Sequence, residues 1–306
     1  MPEADKLTTF SRILMKTISL DDREWSFKVE GLPSPGWLDQ KQLVKKIAIR
    51  TDMAAGSHSM TLGLEKAEPN RAIKRHPLHN FVLLSVEDFR PLPRKEREEA
   101  SRAESRLQPA VGRECADYIV RFLRAGVTVQ DVEYNFYGHS NSQLKSRSCF
   151  LYAARKDEIS RMVESLGDFR KMKTVGKKAK RIGLLFSSAQ VAMQVPSDRC
   201  EDIPDVETID YVFTDGCGLI APSLARELAR RVRIIFGDVR YTPSVFQIRY
   251  RGYKGVVTVD PRMNKGKALL KMRNSMKKFS GGDDDTFAVV EHSKVYTFFH
   301  FSRPQS

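Results

Sequence analysis

Between Val245 and Val257 the chain sets Gln247, Arg249 and Arg251 in alternation with Phe246, Ile248 and Tyr250. It then turns at Gly252 and places Lys254 at the entrance to a second, Val-rich run. Alternation of period two marks a strand with one buried face and one exposed face. The exposed face here carries amide, guanidinium and ammonium groups, all hydrogen-bond donors and mostly cationic. Phosphate is the complement of such a face, because it is anionic and accepts on every oxygen. Side chains on a sheet are held more rigidly than those on a loop, so they can position a phosphate as well as attract it.

Two further clusters carry the same chemistry. Arg262, Lys265, Lys267, Lys271, Arg273, Lys277 and Lys278 follow one another with no acid between them. Lys171, Lys173, Lys177, Lys178, Lys180 and Arg181 form a second acid-free group. The plain alternative for each is a solvated face. Like charges one helical turn apart repel by a few tenths of a kcal/mol per pair, however, and a nearby phosphate backbone relieves that repulsion.

Other groups of reactive type read as ordinary structure. Gly281-Gly282-Asp283-Asp284-Asp285 has the acids a two-metal site needs, but two glycines beside three acids between strands are expected to form a loop. Phe213-Thr214-Asp215-Gly216-Cys217-Gly218-Leu219-Ile220 reads as a strand entering a Gly-rich turn before a helix, with no complete phosphate-loop motif. Asn135 to Lys145 masses small polar residues after an aromatic strand, which reads as an Asn/Ser turn. Cys115, Cys149, Cys200 and Cys217 are scattered, so neither a zinc ribbon nor a disulfide framework is expected, and His76 and His79 stand in a Pro-containing loop. No metal site is expected from the residues themselves.

The elements that must hold these groups are legible in the hydrophobic periodicity. Residues 46–50 and 81–86 read as strands, Cys115 to Arg124 as a helix ended by Gly126, and Val132 to Tyr137 as a strand. Ile159, Met162, Val163 and Leu166 make an amphipathic helical stripe with Gly167 at the C-cap position. A second stripe runs from Val175 through Ala179, Ile182 and Phe186 to Ala189, with Lys177, Lys178, Lys180 and Arg181 on its other face. Pro222 opens a third helix through Val232, with Gly237 beyond its end. From there the chain turns to strands at Phe246–Tyr250, Lys254–Val259, Ala268–Met272 and Phe287–Val290. The fold class is α+β leading into a small β-barrel. Residues 1–108 form a poorly patterned mixed region, 109–204 a helical α+β region with the basic helix, and 205–306 the barrel.

Composition agrees with a polyanionic partner. The 306 residues hold 52 Lys and Arg against 38 Asp and Glu, a net charge of +14, and a hydrophobic content of 41% suffices for a core. No leader-like segment opens the chain, and no run approaches the roughly 20 apolar residues that span a bilayer. A soluble protein of the nucleus or cytoplasm is expected, with no membrane partner.

Taken in order, five segments resemble the cellular RNA-dependent RNA polymerases of RNA silencing, most closely the fungal ones. They are Tyr137-Gly138-His139-Ser140-Asn141-Ser142-Gln143-Leu144-Lys145, residues 178–189, Phe213-Thr214-Asp215-Gly216-Cys217-Gly218, residues 246–257, and Met272-Arg273-Asn274-Ser275-Met276-Lys277-Lys278-Phe279. The resemblance runs from about Gly112 to about Lys294. It implies a core of two double-psi β-barrels, of which this chain holds the first. It also implies that Lys254 and Lys278 position nucleotide or RNA phosphates, with Gln247, Arg249, Arg273 and Lys277 as RNA-binding neighbours and Asp215 as a structural residue. The implied partners are single-stranded RNA template and ribonucleoside triphosphates, with silencing-complex proteins beyond them.

Two departures accompany the resemblance. The family's magnesium-chelating Asp-x-Asp-Gly-Asp loop does not occur in this sequence, and Asn274 stands where the family usually has proline. The expectation is therefore an N-terminal fragment of a polymerase whose full form uses Mg2+. The chain alone would hold no metal and would bind RNA without catalysis. A non-catalytic RNA-binding or regulatory module, and a degenerate product that folds poorly, are the alternative readings.

Overall fold

The computed structural model describes residues 25–29, 43–68, 70–90, 111–129, 132–236, 239–281 and 285–294. They fall into two compact units. The first comprises the chain up to Leu166 together with Lys171–Ser187, and the second Gly167–Arg170 with Ser188 onward.

In the first unit, β1 (Trp25–Val29), β2 (Leu43–Asp52), β3 (Ser57–Lys66), β4 (Phe81–Arg90), β5 (Val127–Val129), β6 (Val132–Gly138) and β7 (Ser148–Tyr152) form one sheet in the order β1-β3-β2-β4-β7-β6-β5. Its core gathers Ile47, Ile49, Met60, Val82, Leu84, Tyr134 and Leu151 with Phe122 of helix α1 (Val111–Ala125). That helix ends where Gly126 takes a φ of 81°, the left-handed stop that its glycine was expected to supply. The small polar residues after β6 form more than a turn. Ser140 and Gln143 exchange side-chain-to-backbone bonds in a capping box that opens helix α2 (Asn141–Lys145). Helix α3 (Lys156–Ser165) follows, then helix α4 (Val175–Ile182), capped by Thr174. The stripe expected to reach Ala189 thus stops at Ile182, where the backbone tightens into a 3-10 turn over Gly183–Phe186.

The second unit contains β8 (Gly167–Asp168), β9 (Gln190–Gln194), β10 (Cys200–Ile203), β11 (Cys217–Ile220), helix α5 (Pro222–Arg231), β12 (Ile235–Phe236), β13 (Val239–Arg240), β14 (Val245–Tyr250), β15 (Tyr253–Val259), β16 (Leu270–Arg273), β17 (Ser280–Gly281) and β18 (Thr286–His292). Pro222 stands at the first turn of α5 as expected. β8 pairs with β17, and β12 with β13. Gly167 is not the left-handed cap that its position suggested. It lies in β8, where a Cβ would come within 2.6 Å of the Phe279 ring, so close packing requires the glycine.

Seven strands make the main sheet, in the order β10-β16-β11-β15-β14-β18-β9. Its two edge strands, β9 and β10, are consecutive in sequence and separated only by residues 195–199. A flat sheet of this order would part them by six inter-strand gaps, about 29 Å, whereas six residue steps span at most about 22 Å. The sheet must therefore curl until its edges approach, which makes it a barrel. The interior is filled by Phe246, Ile248, Tyr250, Val257, Leu270, Met272, Phe287 and Val289, and Leu224, Ala225 and Leu228 of α5 belong to the same core. The chain leaving β15 rounds the end of β11 through a 3-10 turn at Pro261–Lys265 and returns as β16 on the other side of β11. This is a psi-shaped crossing.

One local order is reversed from expectation. The Gly-rich turn at Thr214–Gly216 precedes β11, and the strand then runs into α5. Gly237 and residues 282–284 lie outside the described residues. Among the described residues no helix is long and apolar enough to cross a membrane.

Candidate nucleic-acid interface

The β14–β15 hairpin turns on two residues, Arg251 and Gly252, with φ of 41° and 86°. Positive φ at both central positions belongs to the tight turn that follows the natural strand twist. Tyr250 pairs with Tyr253, Arg249 with Lys254, Ile248 with Gly255 and Gln247 with Val256. Because side chains alternate, Phe246, Ile248, Tyr250, Tyr253 and Val257 point into the barrel and are buried. Gln247, Arg249, Lys254 and Val256 occupy the other face, half-buried. The cationic face read from sequence exists, with the register that the alternation demands.

Lys278 is brought to this hairpin by backbone bonds. Its amide donates to the carbonyl of Gly252 at 2.9 Å, and Tyr253 and Lys277 form an antiparallel bridge. Strand spacing then puts the Cα atoms of Lys254 and Lys278 about 8 Å apart. Tyr253 and Lys277 share one face, where the Lys277 ammonium sits 5.4 Å from the Tyr253 ring centre. Lys254 follows Tyr253 on the strand and so stands on the opposite, half-buried face, with Lys278 one residue beyond the bridge. The Lys278 ammonium donates to the carbonyl of Ser275. Ser275 Oγ accepts the Gly216 amide at 3.0 Å, and Gly216 in turn accepts the amide of Val256, two residues beyond Lys254. The turn before β11 and the turn carrying Ser275 (Asn274–Met276) thus flank the two lysines.

Two arginines reinforce the positive field. Burial lowers the pKa of the Arg249 guanidinium from the usual arginine value. Its Nη1 donates to the Ile248 carbonyl at 2.9 Å, while its Nε is buried with no partner among the described residues. The Nε of Arg273 is in the same state. A partly desolvated cation with an unused donor is electrostatically poised for an anion.

The run from Arg262 to Lys278 is not the uncompensated strip that its lack of acids suggested. β10 lies parallel to β16, with Glu201 opposite Lys271 and Asp202 opposite Met272. Lys271 meets Glu201 at 3.2 Å, Lys277 meets Asp202 at 3.8 Å and Lys267 meets Asp198 at 3.7 Å. Arg262 binds Asp260 at 3.0 Å. The acids come from outside the run: strand pairing delivers Glu201 and Asp202, the 3-10 turn before β10 supplies Asp198, and Asp260 caps the turn that carries Arg262. Asp202 also accepts the Tyr253 hydroxyl, and burial first, then that bond, raises the tyrosine's pKa. Substituting Asp202→Asn is therefore expected to release Lys277, raising affinity for a single-stranded polyanion about two- to threefold and steepening its salt dependence by about 0.7. Titration with a fluorescent oligonucleotide at several salt concentrations checks this.

Lys177, Lys178, Lys180 and Arg181 stand on α4 in the first unit, and no residue of that helix is buried. Asp285, the described acid of the Gly-Gly-Asp-Asp-Asp segment, is paired with Arg251 at 2.6 Å. Among the described residues no three His, Cys, Asp or Glu side chains gather as a metal site. The sequence reading missed Asp205. Its carboxylate accepts the Ser275 amide at 2.9 Å, the Ser275 hydroxyl at 2.7 Å and the Thr214 hydroxyl at 3.0 Å. Desolvation pushes its pKa up, but the Ser275 and Thr214 donors outweigh that and hold it below the ordinary carboxylate value.

The family model described as RNA dependent RNA polymerase matches residues 57–304. RNA-dependent RNA polymerase 1 of Arabidopsis thaliana is 38% identical over 187 residues, covering 59% of this chain and 16% of its own length. RNA-dependent RNA polymerase 6 of the same plant is 41% identical over 149 residues, covering 48% and 12%. RNA-dependent RNA polymerase 1 of Schizosaccharomyces pombe is 32% identical over 147 residues, covering 47% and 11%. A solved chain, RNA dependent RNA polymerase QDE-1 from Thielavia terrestris, superposes with a TM-score of 0.64 at 13% identity, covering 94% of this chain and 33% of that one. At that identity the likeness establishes the fold. The chain spans 16% or less of these curated relatives and a third of the solved one.

Proposed function

This chain belongs to the RNA-dependent RNA polymerase family, and from that premise we propose that its barrel is the phosphate-holding half of an RNA-directed RNA polymerase core. The whole enzyme joins ribonucleoside triphosphates along a single-stranded RNA template, and its double-stranded product supplies small interfering RNAs in the nucleus or cytoplasm. Lys254 and Lys278 hold phosphate oxygens of the RNA or the incoming nucleotide. Gln247, Arg249 and Arg273 line the approach, Lys277 contributes at the rim, and the α4 cations Lys177, Lys178, Lys180 and Arg181 engage the RNA backbone. Asp215 serves the turn and not the chemistry.

One observation supports this reading: the Lys278 amide bonds the Gly252 carbonyl and Lys277 bridges Tyr253, which brings Lys278 to the hairpin whose half-buried face bears Gln247, Arg249 and Lys254. Phosphoryl transfer gains from cations fixed in advance where charge develops, because no reorganisation is needed as the transition state forms. The full enzyme uses magnesium for the bond-making step. The described residues do not fit that ion: no three His, Cys, Asp or Glu side chains gather among them, and Asp205 and Asp285 are engaged by Ser275, Thr214 and Arg251.

The test is fluorescence anisotropy of the purified chain with a single-stranded ribo-oligonucleotide across a salt series, with a primer-extension reaction in parallel. The expected result is binding whose log affinity falls linearly with log salt, with a slope of about −0.7 per phosphate engaged. No templated product is expected. Salt-independent or absent binding overturns the assignment of the cationic face, and templated product overturns the assignment of bond-making to residues outside those described.

A further inference from the structure

We infer that Asp205 is a positioning residue for Lys278, acting through Ser275; the inference deepens the phosphate-holding reading above and rests on it for its consequence in RNA binding. The Lys278 ammonium is aimed by its bond to the carbonyl of Ser275. That carbonyl belongs to a three-residue 3-10 turn, Asn274–Met276, a form whose hydrogen-bond geometry is poorer than that of an α-helix. Asp205 holds the residue that carries this carbonyl: the gripped amide lies on the preceding peptide, so the carbonyl is oriented through the fixed backbone and side chain of Ser275. One carboxylate oxygen takes the Ser275 amide at 2.9 Å and the other takes the Ser275 hydroxyl at 2.7 Å, so both the backbone and the side chain of the residue are gripped.

The same carboxylate governs the second lysine-bearing segment. Asp205 Oδ1 also accepts the Thr214 hydroxyl at 3.0 Å, and Thr214 Oγ accepts the amide of Val206 at 2.9 Å. Ser275 Oγ receives the Gly216 amide, and Gly216 receives the amide of Val256 on β15. Asp205 thereby joins the turn before β11, the 3-10 turn and the strand of Lys254 in one hydrogen-bonded chain. Every donor in it is neutral, so the carboxylate keeps its charge, and the nearby Arg273 guanidinium favours that charge further. A negative charge beside a phosphate site is otherwise unfavourable for binding. Its retention here is explained if it orders the cations that outweigh it.

Two measurements on the purified chain test this. In the first, no RNA is present: acylation of Lys278 by an amine-reactive ester is followed by mass spectrometry, with Lys177 as the internal reference. Asp205→Asn is expected to raise the Lys278 rate about threefold relative to Lys177, because the ammonium loses its fixed acceptor. An unchanged ratio overturns the inference. Thr214→Val, which removes a single donor, is expected to shift the ratio in the same direction by less, and it serves if Asp205→Asn does not melt cooperatively.

The second is a double-substitution cycle in single-stranded RNA affinity. Lys278→Ala alone is expected to cost about fivefold, Asp205→Asn alone about threefold, and Asp205→Asn on the Lys278→Ala background at most about 1.5-fold more, the share that reaches Lys254. Independent, multiplying losses overturn the positioning role. Loss of the Lys278→Ala effect together with a raised acylation ratio overturns the phosphate-holding reading while leaving the positioning role in place.

Discussion

Gly252→Ala is expected to lower the melting temperature of the barrel unit by roughly 10–20 °C, from a loss of about 3–4 kcal/mol. Two costs combine at this position. An alanine at φ 86° adopts the left-handed region at about 1–2 kcal/mol, and its Cβ would lie 2.2 Å from the carbonyl oxygen of Phe279. That oxygen is backbone, so the contact is relieved only by moving residues 277–279 away from the hairpin. Two other glycines separate the terms. Gly216 has φ 72° but open space where an alanine methyl group would stand, so Gly216→Ala carries only the conformational cost, about 1–2 kcal/mol. A Cβ on Gly255 would meet the Gly216 carbonyl at 2.1 Å without a positive φ, so Gly255→Ala carries only the steric cost, about 1–3 kcal/mol. Thermal melts of the three variants check the scheme. If Gly252→Ala melts no lower than Gly216→Ala, the Lys278 segment is not pressed on the turn, and the geometry of the lysine pair is wrong.

These glycines show where sequence reading reaches and where it stops. The hairpin was legible because Phe246, Ile248 and Tyr250 alternate strictly with polar residues and a glycine follows at once. Both signals are local and have one structural solution. The start of α5 at Pro222 and the stop of α1 at Gly126 were legible for the same reason. Gly167 was misread as a cap because a glycine after an amphipathic stripe usually is one. Its actual constraint is a phenylalanine ring 112 positions away in the chain. The order of turn and strand around Gly216 was also missed, since Phe213 has the composition of a strand but is 63% exposed on the turn.

The electrostatics of the face were half legible. That Arg249 and Lys254 share a face follows from period two. That Lys277 is neutralised by a carboxylate while Lys278 is held by a carbonyl depends on β10 and β16 running parallel in a particular register, and no local pattern encodes that. Asp205 was invisible for a related reason. It stands in an ordinary Pro-Asp pair, and its partners Thr214 and Ser275 are 9 and 70 residues further on. The resemblance supplied Lys278 as a candidate; strand pairing supplies the physical reason that it differs from its neighbour.

That difference makes the second prediction. Lys254→Ala with Lys278→Ala is expected to weaken single-stranded RNA binding about 10- to 30-fold near 0.15 M salt and to flatten the salt slope by about 1.4, two phosphates at about 0.7 each. Lys277→Ala removes the same charge one residue away, yet it is expected to cost less than about twofold, because Asp202 already compensates that lysine in the absence of RNA. Net charge and position along the chain are nearly constant across this comparison, so a large gap between Lys278→Ala and Lys277→Ala reports what each lysine meets, the Asp202 carboxylate at 277 and the Ser275 carbonyl at 278. The α4 cations lie in the other unit, and replacing Lys177, Lys178 and Lys180 by Gln is expected to lower affinity without altering that gap. Equal losses at positions 277 and 278 would mean that the chain attracts RNA through its net charge of +14 and not through a built site. The pairing that brings Lys278 to the hairpin of Lys254 would then have no functional consequence.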